Sequence, residues 1–130
     1  MSESLKLVLL PGKYAIFQCP PSDGIPPVVF EQTFWSVTRS SQELSIIAPD
    51  KMTLERCKKE GDWQIFRIEG PLEFSEIGVI ARLTKVLAES HISVFVVSTF
   101  DTDYVLIKSV NRAAALQALR AAHYDVSPGN

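Results

Sequence analysis

Between Trp63 and Val126 the apolar residues repeatedly change their spacing, and that alternation constrains the fold more than any other feature. Trp63 to Glu69 is a short β-favouring run, ended by Gly70-Pro71 because proline cannot donate to a ladder and pre-sets a turn. From Ser75 the period lengthens: Ile77, Ile80, Leu83 or Thr84, and Leu87 fall three or four apart, one face of a helix. Ser75 suits its N-cap, Glu73 and Glu76 the positive end of its dipole, and Lys85 lies toward the other end. Ile92 to Thr99 is β-branched and returns to strand, Thr99 to Asp103 is a polar turn, and Tyr104 to Lys108 is another strand. Asn111 can cap a second helix with the stripe Ala115, Leu116, Leu119 and Ala122, before a last short strand at Tyr124 to Val126. The order β-α-β-β-α-β is an α+β, ferredoxin-like arrangement, with both helices on one face of an antiparallel sheet.

The first half is less regular. Six prolines precede Glu60-Gly61-Asp62, where the pattern changes and a division is expected. Leu5 to Leu10 and Tyr14 to Cys19 are apolar runs split by Pro11-Gly12, and Ser22 to Pro27 is a loop. Phe34 to Arg39 and Leu44 to Ala48 read as strands joined by the polar turn Ser40-Ser41-Gln42-Glu43. No long amphipathic helix is visible between residues 11 and 33; Val28 to Gln32 supplies a turn or two. Strand–turn–strand patterns in both halves suggest a tandem repeat, with a degenerate copy over residues 1–60 and a regular one over 61–130.

A net charge of −2 lacks the electrostatic footprint of a nucleic-acid binder. No apolar run is long enough to cross a membrane, and Met1-Ser2-Glu3-Ser4 lacks a signal peptide's basic segment. Cys19 and Cys57 make no secreted disulfide framework and no CxxC pair, and are read as ordinary thiols, which sets the expected compartment as the cytoplasm. His91 and His123 follow or end helices, where partial positive charge is favourable, and neither has a metal-ligand spacing nearby. No nucleophile, phosphate-loop or zinc motif is present, so neither an enzyme nor a cofactor is expected. Phe30, Phe34, Trp35, Trp63 and Phe66 are assigned to the core.

The runs Glu69 to Ala81, His91 to Phe95 and Ser98 to Leu106 resemble the ACT domain, most specifically in the turn Ser98-Thr99-Phe100-Asp101-Thr102-Asp103. Leu10-Pro11-Gly12, Phe34 to Thr38 and Glu43 to Ile47 look like matching segments of the small two-domain bacterial branch, which is similar to the cytosolic arginine-sensor proteins of animals. The resemblance implies a regulatory domain that binds an amino acid or similar metabolite where domains meet, and that pairs side by side with another, as in a homodimer. Carried over residue by residue, it implies contacts from Glu76, Ile77 and Gly78 at the helix start, Ser93 and Val94 at the next strand, and Asp101 and Asp103 in the turn.

The chemistry of those positions suits such a ligand. A carboxylate seeks the unsatisfied N–H groups of a helix start, and an ammonium seeks carboxylates such as Glu76, Asp101 or Asp103. Each position also has a plain structural reading. Gly78 inside a helix costs up to about 1 kcal/mol relative to alanine, which tight packing explains as well as ligand access. Ser93 can satisfy its own turn, Asp101 and Asp103 are common turn formers, and Glu76 can simply face the dipole. A non-binding adaptor that pairs through sheet edges is the alternative function. An RNA-recognition module shares the strand order but needs basic character that is missing, and a metal carrier needs cysteines that Gly70 to Ser75 lacks.

Overall fold

The computed structural model describes residues 5–69 and 77–129. Its elements are β1 (Lys6–Leu9), β2 (Tyr14–Cys19), β3 (Ser36–Arg39), β4 (Leu44–Pro49), β5 (Lys58–Ile68), α1 (Val79–Glu89), β6 (Phe95–Ser98), β7 (Asp103–Lys108), α2 (Arg112–Ala121) and β8 (Asp125–Pro128). Short 3-10 turns cover Pro27–Glu31 and Ser109–Asn111. The chain forms two compact units: an inserted unit, Gly12–Trp63, and a split unit made of the residues up to Pro11 together with those from Gln64 onward.

In the split unit the strands lie in the order β6-β7-β5-β1-β8, and β5-α1-β6-β7-α2-β8 is the α+β motif expected from the spacing. What the spacing does not reveal is β1. It runs antiparallel to β5, Leu7 opposite Ile68, and parallel to β8, Leu7 opposite Val126, so it separates the motif's first and last strands. An apolar run such as Leu5 to Leu10 specifies a strand but not its partner. Leu7, Phe66, Ile68, Val105, Ile107 and Val126 make a core with Leu83 and Leu87 of α1 and Ala115 and Leu119 of α2. On β5 and β7 these residues alternate, as the pleat requires.

The helix ends depart from expectation. α1 starts at Val79, with Gly78 at its N-cap in the left-handed conformation (φ 77°, ψ 8°) rather than inside the helix. The expected cap Ser75, with Glu73 and Glu76, lies outside the described residues. Ile77 is not on the buried stripe, being 87% exposed, and Ala122, expected on the stripe of α2, is exposed just beyond that helix. Both helices close in the same way. The N–H of Ile92 donates to the Leu87 carbonyl at 3.0 Å and that of His91 to Ala88 at 2.9 Å; Tyr124 donates to Leu119 at 2.9 Å and His123 to Arg120 at 3.0 Å. These are Schellman closures, and the two histidines occupy the left-handed position usually held by glycine, with φ of 59° and 71°.

In the inserted unit the order is β3-β4-β2-β5, with β5 contributing Lys58 to Trp63. The β3–β4 turn forms where expected, and the Ser40 hydroxyl accepts the N–H groups of Gln42 and Glu43 at 3.1 and 3.2 Å. This unit contains no α-helix. Val29, Met52 and Leu54, with Ile25 and Cys57, instead cover Ala15, Phe17, Cys19, Leu44, Ile46 and Ala48 of the sheet.

Two sequence readings are overturned here. Cys19 and Cys57 are not separate thiols but a disulfide. Gln18 lies opposite Lys58, so the residues one step further along meet across the ladder, a proximity that their separation of 38 residues hides. Phe30 and Trp35 are not core. They are 52% and 38% exposed and meet edge to face at 5.0 Å, whereas Trp63 and Phe66 are buried and Phe34 is half-buried against Tyr14. Phe30 lies on a 3-10 turn too short to bury every apolar side chain it carries.

Glu60-Gly61-Asp62, expected to mark a division, lies within the continuous strand β5. Tyr14 pairs with Trp63 but Ile16 with Glu60, so a bulge sets Gly61 and Asp62 across from Ala15, and Asp62 takes a φ of 64°. The Asp50 carboxylate accepts the Asp62 N–H at 2.9 Å and pairs with Lys59 at 3.2 Å, while Lys13 meets Asp62 at 3.4 Å. A Cβ on Gly61 would stand 2.7 Å from Asp50 Oδ1, so a side chain there would have to displace this carboxylate. The backbone bond from Asp62, aided by Lys59, holds the Asp50 carboxyl below its ordinary value despite opposing desolvation. The turn chemistry of Gly-Asp has been absorbed as a kink in one strand.

Candidate functional site

The start of α1 is built around one backbone requirement. Having no Cβ, Gly78 enters the left-handed region freely, but it also offers no side chain to cap the helix. The amides of Val79, Ile80 and Ala81 are the first three of α1 and have no partner within the helix. Arg82, which sequence reasoning missed, folds back over this turn. Its Nη1 donates to the Ile77 carbonyl at 3.1 Å, and a Cβ on residue 78 would come 2.9 Å from that nitrogen. The only sequence signal was the four-residue step from Gly78 to Arg82, one helical turn. A guanidinium and a helix start thus place positive potential together.

The turn between β6 and β7 is tightly bonded. The Thr99 N–H donates to the Thr102 carbonyl at 2.8 Å, and the Thr99 hydroxyl accepts the Thr102 N–H at 3.3 Å. Ser98 Oγ donates to Asp103 Oδ1, so half-buried Asp103 already has a partner, while Asp101 is exposed at the turn. Thr102, which the sequence did not single out, is buried and donates through Oγ1 to the Ile68 carbonyl at 2.7 Å, fastening the turn to the end of β5.

The six described residues among the expected contacts are carried by three segments of the chain. Ile77 and Gly78 sit with Arg82, and Asp101 and Asp103 with the turn fastened to β5. Ser93, exposed, and Val94, packed against the core, follow the closed end of α1. At 1.5 Å per residue, α1 separates that end from Gly78 by roughly 16 Å. Glu76 lies outside the described residues. Among the described residues, no three His, Cys, Asp or Glu side chains stand together as a metal site.

A sheet carrying two helices on one face, entered through a left-handed glycine and closed by a bonded β6–β7 turn, is an α+β domain of ferredoxin-like fold. Residues 58–121 match the family model described as ACT domain. The chain is similar over 59 residues, at 34% identity, to the human protein named cytosolic arginine sensor for mTORC1 subunit 1; the match covers 45% of this chain and 18% of the sensor. A crystal structure of protein Atu0741 from Agobacterium tumefaciens superposes with a TM-score of 0.90 at 29% identity, covering 99% of this chain and 96% of that one. The ligand-free regulatory subunit of aspartate kinase from Thermus thermophilus shares the fold, with a TM-score of 0.61 at 16% identity, over 89% of this chain and 96% of its own. No helix among the described residues is long and apolar enough to cross a membrane.

Proposed function

We propose that this protein is a non-catalytic regulatory module that binds an amino acid, the ligand's carboxylate meeting the first amides of α1 and the guanidinium of Arg82. The observation that carries this reading is the left-handed Gly78 N-cap, beside the Arg82 side chain, within a segment matching the ACT domain. The ligand's ammonium is assigned to acidic groups drawn from Glu76, Asp101 and Asp103, while Ile77, Ser93 and Val94 complete the candidate set. Ser93 and Val94, at the far end of α1, fit best as contacts made to a second copy's ligand. The similarity to a cytosolic arginine sensor supports an amino acid as the ligand class and the cytoplasm as the compartment.

The proposal includes two tandem ACT-like copies, a degenerate one over residues 1–60 and a regular one over 61–130. It also includes a homodimer. β6 is an edge strand among the described residues, with Phe95 and Val96 each 37% exposed, and such an edge is a template for pairing. The same edge favours the alternative, an adaptor that pairs without a small ligand.

Thermal denaturation against the twenty amino acids separates the two. A ligand at 100 times its Kd adds about 2.7 kcal/mol, which raises Tm by roughly 5 °C or more for a chain of this size. Arg82→Ala should abolish that shift while leaving the unliganded Tm within a few degrees. A panel that moves nothing rejects the sensor and leaves the adaptor.

A further inference from the structure

We propose that the Cys19–Cys57 bond is a reversible thiol–disulfide switch that fastens and releases the cover of the inserted unit's sheet. In the split unit two α-helices close the core, but here the same task falls to irregular segments carrying Ile25, Val29, Met52 and Leu54. The bridge ties the end of β2 to the residue that precedes β5, where both covering segments join the sheet. Polar contacts also hold them: Arg39 Nη2 donates to the Asp23 carbonyl at 2.6 Å, Arg56 pairs with Asp23 at 3.4 Å, and Lys59 Nζ donates to the Met52 carbonyl at 3.1 Å. Opening the bridge therefore loosens the cover without dismantling the sheet.

Three features make the bond switchable. Cys57 is partly exposed while Cys19 is buried, so an incoming thiolate reaches one sulfur. Arg56 and Lys58 flank Cys57 and place cations beside the approach of an anionic nucleophile. The ladder pairs Phe17 with Lys59 and Gln18 with Lys58, holding the next rung in position for re-formation, and with two cysteines in the chain oxidation has one intramolecular product. A low-molecular-weight thiol is the co-reactant. Its thiolate attacks Cys57 Sγ, the Cys19–Cys57 bond breaks, and Cys19 leaves with the electron pair and takes a proton. A second equivalent resolves the mixed disulfide, Cys57 leaves as thiolate and is protonated, and the two equivalents depart as their own disulfide. The bridge gains two electrons and two protons, which the thiols lose.

The test equilibrates the native chain with mixtures of reduced and oxidised glutathione, counts free thiols by alkylation and mass, and follows Tm and the fluorescence of a dye that binds exposed apolar surface. The expected result is a reversible transition between zero and two free thiols, with the reduced form melting roughly 5–15 °C lower and binding more dye. Cys57→Ser should reproduce the reduced form and ignore the glutathione ratio. A bridge that survives excess reduced glutathione under native conditions, or one that fails to re-form, overturns the switch, as does reduction that leaves Tm and dye unchanged.

Discussion

The hydroxyl of Thr102 donates to the carbonyl of Ile68 at 2.7 Å across 34 residues of sequence. This buried bond joins the β6–β7 turn to the end of β5. Thr102→Val keeps the shape and removes the donor, and is expected to destabilise the protein by about 1–2 kcal/mol in urea unfolding. An unchanged midpoint would mean that the bond contributes nothing net.

Gly78 sits at φ 77°, a region that costs other residues about 1–2 kcal/mol. Gly78→Ala should lose about that much stability, with Arg82 displaced from its contact, and Gly78→Asn should lose less because asparagine tolerates the left-handed region. Equal losses for the two variants would refute a conformational role for this glycine.

His123 closes α2 from the same region, at φ 71°. Replacing it with glycine relieves the strain but enlarges the unfolded ensemble, so a net gain of about 0.5–1 kcal/mol is expected for His123→Gly. His91→Gly should behave alike at the end of α1. A loss of stability in both would show that the imidazoles make contacts worth more than the strain.

The depressed pKa of Asp50 makes the stability of the inserted unit depend on pH. Its contribution is fully present above the unfolded carboxylate value of about 3.9 and is lost as pH falls through the lower folded value. Partial exposure screens the effect, so the slope is shallow. Asp50→Asn should flatten the fall in stability between about pH 5 and pH 3. Urea midpoints at those pH values check this, and an undiminished slope in the variant would assign the acid sensitivity elsewhere.

Much of this architecture was legible because spacing reports burial directly. Leu83 and Leu87, and Ala115 and Leu119, face the core that their helical spacing foretold. Residues that act through distant partners were not legible. Nothing local to Leu7 names Ile68 and Val126 as neighbours, nothing near Cys19 points to Cys57, and the Gly61-Asp62 pair reads equally as a turn or a bulge. Within the candidate site, Gly78 was visible as a glycine, but its left-handed conformation and the return of Arg82 over it belong to three-dimensional geometry.

Because β1 is wedged between β5 and β8, the opening strand of the chain finds its parallel neighbour only in Asp125–Pro128. On the ribosome that strand must wait until Asp125–Pro128 has been made, while Gly12–Trp63 is already complete enough to close by itself. Deleting the first eleven residues would strip a central strand from the later-forming sheet, so no single cut yields two self-sufficient halves.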